Sequence, residues 1–242
     1  MRETDWLVCY TDRLVGLQPC YPPAMPRDGT ATRERILDAA QRIVLERGFA
    51  ATSVDAVLAA APATKGAFFH HFPSKNDLGR ALLERYAAAD ERMLDDFMAV
   101  AETESDDPAE QLVAFVRHFE HAAGELAPTQ PGCLFVSFIY ERQLAGDGED
   151  DLIAESIRHW RARLLEKLEA AARVHPPAIA VDLPSLADQV FTTFEGGFIL
   201  ARAMQDPRHL RAQLAHLRHY LELLFDLSPK QPAGAARPTA IA

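Results

Sequence analysis

Apolar residues along this chain recur at intervals of three and four, and no stretch shows the strict alternation that a half-buried strand requires. Ile36, Leu37, Ala40, Ile43 and Val44 form the first stripe, and Gly48 after Arg47 supplies a helix stop. Thr52 with Asp55 three residues on is a capping pattern for a short second helix through Val54, Val57 and Leu58. Pro62 breaks the chain. Thr64 caps a third helix that runs to about Phe72, where Pro73 ends it. Ser74 with Asp77 then opens a long fourth helix through Leu78, Leu82, Tyr86, Met93 and Phe97.

The rest of the chain keeps the same period. Asp107-Pro108 is a cap followed by a first-turn proline, and Leu112, Phe115, Val116 and Phe119 follow at helical spacing. A shorter apolar helix is predicted from Gly132 to Gln143, closed by Gly146 and Gly148. Leu152, Ile153, Ile157, Trp160, Leu164 and Leu168 stripe another, ended by Pro176-Pro177. Two more are predicted over about Pro184–Met204 and Pro207–Leu227. The fold class is therefore all-α. Residues 1–28 hold four prolines and no sustained apolar period, which predicts a disordered arm, and residues 229–242 read as a flexible tail.

Composition narrows the class. Hydrophobic residues make up 48% and charged ones 25%, with no apolar run near the length of a membrane span and no secretory signal at the N-terminus. A cytoplasmic protein with no membrane partner is the expectation. Cys9, Cys20 and Cys133 show no metal-ligand spacing, so no metal site and no cofactor are expected. His118 and His121 share a helix face but lack a third ligand of convincing spacing. The chain carries none of the serine-elbow, phosphate-loop or zinc-protease motifs, which argues against an enzyme. Its net charge of −10 argues against nucleic acid only as a whole. Residues 30–78 hold six basic side chains (Arg33, Arg35, Arg42, Arg47, Lys65, Lys75) against five acidic ones, so the acidity lies elsewhere.

Three short helices followed by a long one suit a helix-turn-helix that presents its third helix to the major groove. Thr52 and Ser53 stand at a helix N-terminus, where hydroxyl and amide groups hold phosphate, and Thr64 caps the recognition helix. Lys65 begins that helix, where a cation meets phosphate or a guanine edge. Gly66 and Ala67 are small enough for close approach to the groove, and Ala67 suits a thymine methyl. His70 and His71 supply ring donors, and Lys75 sits in the first turn of the fourth helix. Phe68 and Phe72, four apart, read as core.

The segment from Thr32 to Glu84, and above all ERGFAATSVDAV and TKGAFFHHFPSKNDL, resembles the DNA-binding domain of the TetR family of repressors. That resemblance implies a DNA-binding domain over 29–89 and a helical regulatory and dimerisation domain over 90–228. It also implies a homodimer on a palindromic double-stranded DNA operator, released by a small-molecule effector. Two positions depart from the family: Pro62 stands where glycine is usual, and Phe69 where a tyrosine commonly donates its hydroxyl to phosphate. PGCLFVSFIYERQL and SIRHWRARLLEKLEAA resemble the second domain of a subgroup with a Gly-Cys-Leu signature, and FTTFEGGFILARAM resembles the family's penultimate helix. Some members of that subgroup sense electrophiles or oxidants through this cysteine, here Cys133. The other reading of Cys133 is a small core residue. Activation of transcription is an alternative to repression.

Aromatic residues crowd the inner helices, and an apolar or aromatic effector would suit a pocket lined by Phe97, Phe115, Phe119, Cys133, Phe138, Trp160 and Phe194. Leu210, Leu214, Leu217, Leu221 and Leu224 recur at alternating steps of four and three. This stripe fits a dimer interface built from two helices per subunit, with Gly196 and Gly197 permitting close approach, or else an internal core.

Overall fold

The computed structural model describes residues 29–124, 132–139 and 149–227. Among them lie α1 (Gly29–Arg47), α2 (Val54–Ala60), α3 (Lys65–His71), α4 (Lys75–Glu104), α5 (Pro108–Gly124), α6 (Leu134–Ile139), α7 (Glu149–Val174), α8 (Leu183–Met204) and α9 (Arg208–Leu224). No strand occurs among the described residues. The expected arm and tail, Cys9 and Cys20, and the glycines expected to close the helix after Gly132 lie outside them.

The boundaries follow local chemistry. Gly48 takes φ 85° and donates its N–H to Val44 at 2.7 Å, ending α1 in a left-handed turn that glycine enters without steric cost. Ser53 caps α2 by accepting the Ala56 N–H at 3.1 Å, one residue later than expected. Thr52 is instead buried, and its hydroxyl donates to the Gly48 carbonyl at 2.7 Å. Thr64 and Ser74 cap α3 and α4, accepting from Ala67 at 3.2 Å and Asp77 at 3.2 Å. Asp107 accepts the Ala109 N–H at 2.8 Å at the start of α5, and Asp182 caps α8.

Two apolar cores result. The first gathers Ile36, Leu37 and Val44 of α1, Val57 and Leu58 of α2, Phe68 and Phe72 around α3, and Leu78 and Leu82 of α4. Arg85 reinforces it from α4, donating to Glu34 at 3.2 Å, Asp38 at 2.7 Å and Gln41 at 2.7 Å on α1. The second core fills the space between α4, α5, α7, α8 and α9. α4 runs through both cores, and residue 89 lies within it. Leu134, Phe135 and Phe138 of α6, with Ile153 of α7, also belong to the first core. Arg202 near the end of α8 donates to the Glu46 carbonyl at 3.1 Å, a further tie to α1.

The leucine stripe of α9 is the internal core, which corrects the dimer-interface reading. Leu210, Leu214, Leu217, Leu221 and Leu224 are 0–4% exposed within a single subunit and face α5 and α8. Side chains already covered by their own chain have no surface left for a partner. Gly197 serves the same packing, because a Cβ there would lie 2.5 Å from the Leu210 Cδ1. A buried carboxylate in this stripe has no counter-charge, so Leu217→Glu is expected to destabilise the subunit by at least about 4 kcal/mol. Loss of the cooperative thermal transition checks this; a folded monomer would instead restore the interface reading.

Candidate DNA interface and regulatory core

The turn between α2 and α3 sets the angle at which α3 is presented. Pro62 in that turn has φ 24°, far from the value of about −65° that its ring favours. The backbone here asks for a conformation that glycine adopts freely, so the proline stores strain beside the presented helix. Phe68 and Phe72 anchor α3 at 0% and 1% exposure, as expected of core aromatics. The opposite face carries Thr64, Lys65, Gly66, Phe69 and His70, all exposed. Phe69 is 51% exposed, a large apolar ring held against water on a helix that has no packing need for it there. A Cβ on Gly66 would meet nothing nearer than the Thr64 Oγ1 at 4.0 Å, so the fold does not require glycine at this position.

The expected DNA-contacting residues do not all share that face. Lys65 makes an exposed pair with Asp55 of α2 at 3.0 Å, weak enough for phosphate to displace. Ala67 and His71 are half-buried, and Thr52 points inward. Ser53 is exposed at the mouth of α2. Lys75 lies with its Nζ 4.6 Å from the centre of the Phe49 ring and donates to the Ala50 carbonyl at 3.1 Å. That contact turns Lys75 onto the chain's own turn, where it fixes the start of α4 against the end of α1.

In the second half, five of the seven expected effector residues form one aromatic cluster. Phe97 stacks on Phe119 at 4.2 Å, Phe119 meets Phe194 edge-on at 4.7 Å and Phe115 at 5.1 Å, and Trp160 lies 5.8 Å from Phe194. Phe138 lies elsewhere, with its ring 4.8 Å from that of Phe49 in the first core. Its spacing in the sequence is that of the other aromatics, but the six-residue α6 turns it toward α1 rather than α5. His118 is hydrogen-bonded to Glu104.

Cys133 is half-buried immediately before α6. Its sulfur accepts the Val136 N–H, which caps α6, and it is hydrogen-bonded to Tyr86 and to Glu195 of α8. Burial pushes the thiol well above its usual range, and the Glu195 charge adds to the shift. A protonated thiol among carboxylates is a poor nucleophile.

Sequence reasoning missed the polar groups beside this cysteine. Asp90 on α4 is 7% exposed, and Trp160 Nε1 donates to its Oδ2 at 2.6 Å. Glu195 on α8 is half-buried, and its Oε2, which is buried, has no hydrogen-bond partner. Ser156, one turn before Trp160 on α7, is 1% exposed and its Oγ is likewise unpartnered. Burial raises Asp90 to about 7, with the Trp160 hydrogen bond opposing and the Glu195 charge assisting; burial also raises Glu195 to about 7. A signal existed: Asp90 falls on the buried stripe of Leu83, Ala87, Leu94 and Met98, where an unpaired acid is out of place.

An exposed helix-turn-helix face joined by a shared helix to an aromatic, partly polar core defines a DNA-binding protein with an attached regulatory half. Residues 36–82 match the family described as bacterial regulatory proteins, tetR family, and residues 108–217 match the tetracyclin repressor-like C-terminal domain. The chain belongs to the TetR family of transcriptional regulators. It is 24% identical over 201 residues to the transcriptional regulator AcuR of Cereibacter sphaeroides, covering 78% of this chain and 90% of AcuR. It is also 24% identical over 192 residues to the repressor NemR of Escherichia coli K12, covering 78% and 94%. Among solved structures, a TetR regulatory protein from Rhodobacter sphaeroides superposes with a TM-score of 0.68 at 23% identity, covering 78% of this chain and 98% of that one. Reduced NemR from E. coli gives 0.65 at 24%, covering 78% and 95%. No helix among the described residues is long and apolar enough to cross a membrane.

The buried carboxylates make stability depend on pH with a definite sign. Both are raised above their ordinary values of 3.8 and 4.5, so the folded state holds protons that the unfolded state has lost. Stability therefore falls as pH rises from about 4 to about 7 and stays low above. The double variant Asp90→Asn, Glu195→Gln is expected to exceed the parent by roughly 2 kcal/mol at pH 8 and to match it near pH 4. Denaturant unfolding across that range checks it; a gap of the opposite sign at pH 8 would refute the placement of the pair.

Proposed function

We propose that this chain is a ligand-responsive repressor that binds a palindromic operator as a homodimer and releases it when a small molecule enters the aromatic core. The observation that carries the reading is the α3 face, where Lys65, Gly66, Phe69 and His70 stand exposed beside the cap Thr64 and the fold does not require glycine at 66. Gly66 lets the helix approach the groove floor, Lys65 exchanges Asp55 for phosphate or a guanine edge, and Phe69 packs where the family's tyrosine would donate a hydrogen bond. Two subunits space their α3 helices at about 34–36 Å, one helical turn of DNA.

The buried leucines of α9 move the dimer surface to other side chains. On α8, Ile199 (48% exposed), Leu200 (43%) and Met204 (61%) line one outer face, beside Gly196, whose open side meets nothing within 4 Å. Leu223 of α9, 67% exposed, lies at the other end of the α8–α9 pair, where the neighbouring Leu224 carbonyl accepts the Ala178 N–H. The neighbouring apolar groups Ile199, Leu200 and Met204 favour burial against a second copy.

Release follows the route by which the halves touch. Cys133 caps α6 and is hydrogen-bonded to Glu195, and Phe138 at the far end of α6 rests on Phe49. A ligand that repositions α8 or Trp160 moves α6, and with it the turn that fixes α1 and α4. The half-buried, protonated Cys133 favours a non-covalent ligand over an electrophile. The activator alternative depends on where the operator lies relative to its promoter.

The experiment is binding of the DNA upstream of the gene, measured together with sedimentation. The parent chain is expected to bind as a dimer. Leu200→Glu is expected to sediment as a folded monomer with operator affinity reduced by about a hundredfold or more, because each binding event loses a half-site. A folded Leu200→Glu dimer would displace the interface from this face, and absence of specific binding by the parent would overturn the function.

A further inference from the structure

We propose that the effector of this regulator carries a protonated amine, held between Asp90 and Glu195, on an aromatic or apolar body packed against Trp160 and Phe194. The inference rests on the ligand-responsive reading above and names the chemical class of the ligand.

Two acids lie about Trp160 of α7: its Nε1 donates to Asp90, and its ring lies 5.8 Å from that of Phe194, the residue before Glu195. Asp90 comes from α4, Glu195 from α8, and Ser156 with Trp160 from one face of α7. The carboxylates are close enough for the Glu195 charge to act on Asp90, and no Lys, Arg or His among the described residues pairs with either one. Buried acids normally come with a cation or a full set of donors. Here Asp90 has the Trp160 N–H and Glu195 has the Cys133 thiol, while Glu195 Oε2 and the deeply buried Ser156 Oγ have nothing. Unpartnered buried polar atoms in a native core call for a group that completes them.

An ammonium matches what is missing. It offers three donors and one positive charge to two carboxylates, and its hydrogen bonds to carboxylates are charge-assisted. The aromatic wall suits the same group: Trp160 lies 6.1 Å from Phe191 and 5.8 Å from Phe194, and ring faces attract cations. A carboxylate ligand would bring a third negative charge into this site, and a plain hydrocarbon would leave the oxygens unpaired. Capture of Glu195 by the ammonium also withdraws the acceptor from Cys133, which alters the cap of α6 and so reaches Phe138 and Phe49.

The test uses the full-length chain and three probes of one shape: phenylbutylamine, phenylbutanol and phenylbutyrate. Each is titrated by calorimetry, and its release of upstream DNA is measured. The amine is expected to bind about tenfold or more tighter than the alcohol, with the acid weakest. Glu195→Gln is expected to cost the amine about tenfold and the alcohol far less, because only the ammonium loses a charge-assisted bond. Asp90→Asn is the second variant, and both should keep the parent's thermal transition or exceed it. Equal affinity for amine and alcohol, or amine binding untouched in both variants, would overturn the proposal. Upstream DNA bound by the parent without any compound keeps the two readings distinguishable. A protein that binds this DNA but ignores the amine loses only the ligand class, whereas one that does not bind it loses the function.

Discussion

Phe138 seated on Phe49 is the contact on which the rest of this structure depends. A DNA-reading head of three short helices and a regulatory bundle stay distinct unless something makes the position of one matter to the other. α4 supplies continuity, but a single helix transmits only what its packing enforces. The short α6 supplies the enforcement, because its aromatic face is part of the core of the head while its N-terminus is capped by Cys133, which is bonded to α8. A core packed at crystal-like density has discrete arrangements rather than a continuum, so a small displacement of α6 is not absorbed locally.

The same region carries the least favourable chemistry in the subunit. Two carboxylates raised to about 7, with unpartnered oxygens beside them, lower stability where apolar side chains would have packed freely. The strained Pro62 does the same in the turn that presents α3. Uncompensated polar groups and strain at the two ends of the signalling route fit sites shaped for a partner, since folding alone would select against both.

Much of this was legible in the sequence where local chemistry decides structure. Gly48, Thr64, Ser74 and Asp107 announced their helix ends because caps and stops act within four residues, and Phe68 and Phe72 declared a core face by spacing alone. The α2 cap slipped by one residue because Thr52 and Ser53 are chemically near-equal, and only the turn geometry makes Thr52 bond back to Gly48. The leucine stripe of α9 was legible as a buried seam but not as to which helices bury it; periodicity gives the face, not the partner. Lys75 read as a phosphate ligand because its neighbour across the turn, Ala50, lies 25 residues away in the chain. Asp90 was legible as an acid on a buried stripe, whereas the half-buried position of Glu195 follows only from tertiary packing.

If the ligand acts on DNA through α6, Phe138→Leu uncouples the two. The quantity to measure is the ratio of operator Kd with and without saturating phenylbutylamine, in the parent and in this variant. Leucine keeps α6 buried but removes the ring contact with Phe49. In the variant both partners are expected still to bind, and the ratio is expected to collapse toward one. A ratio equal to the parent's, with both affinities intact, would contradict a route through α6.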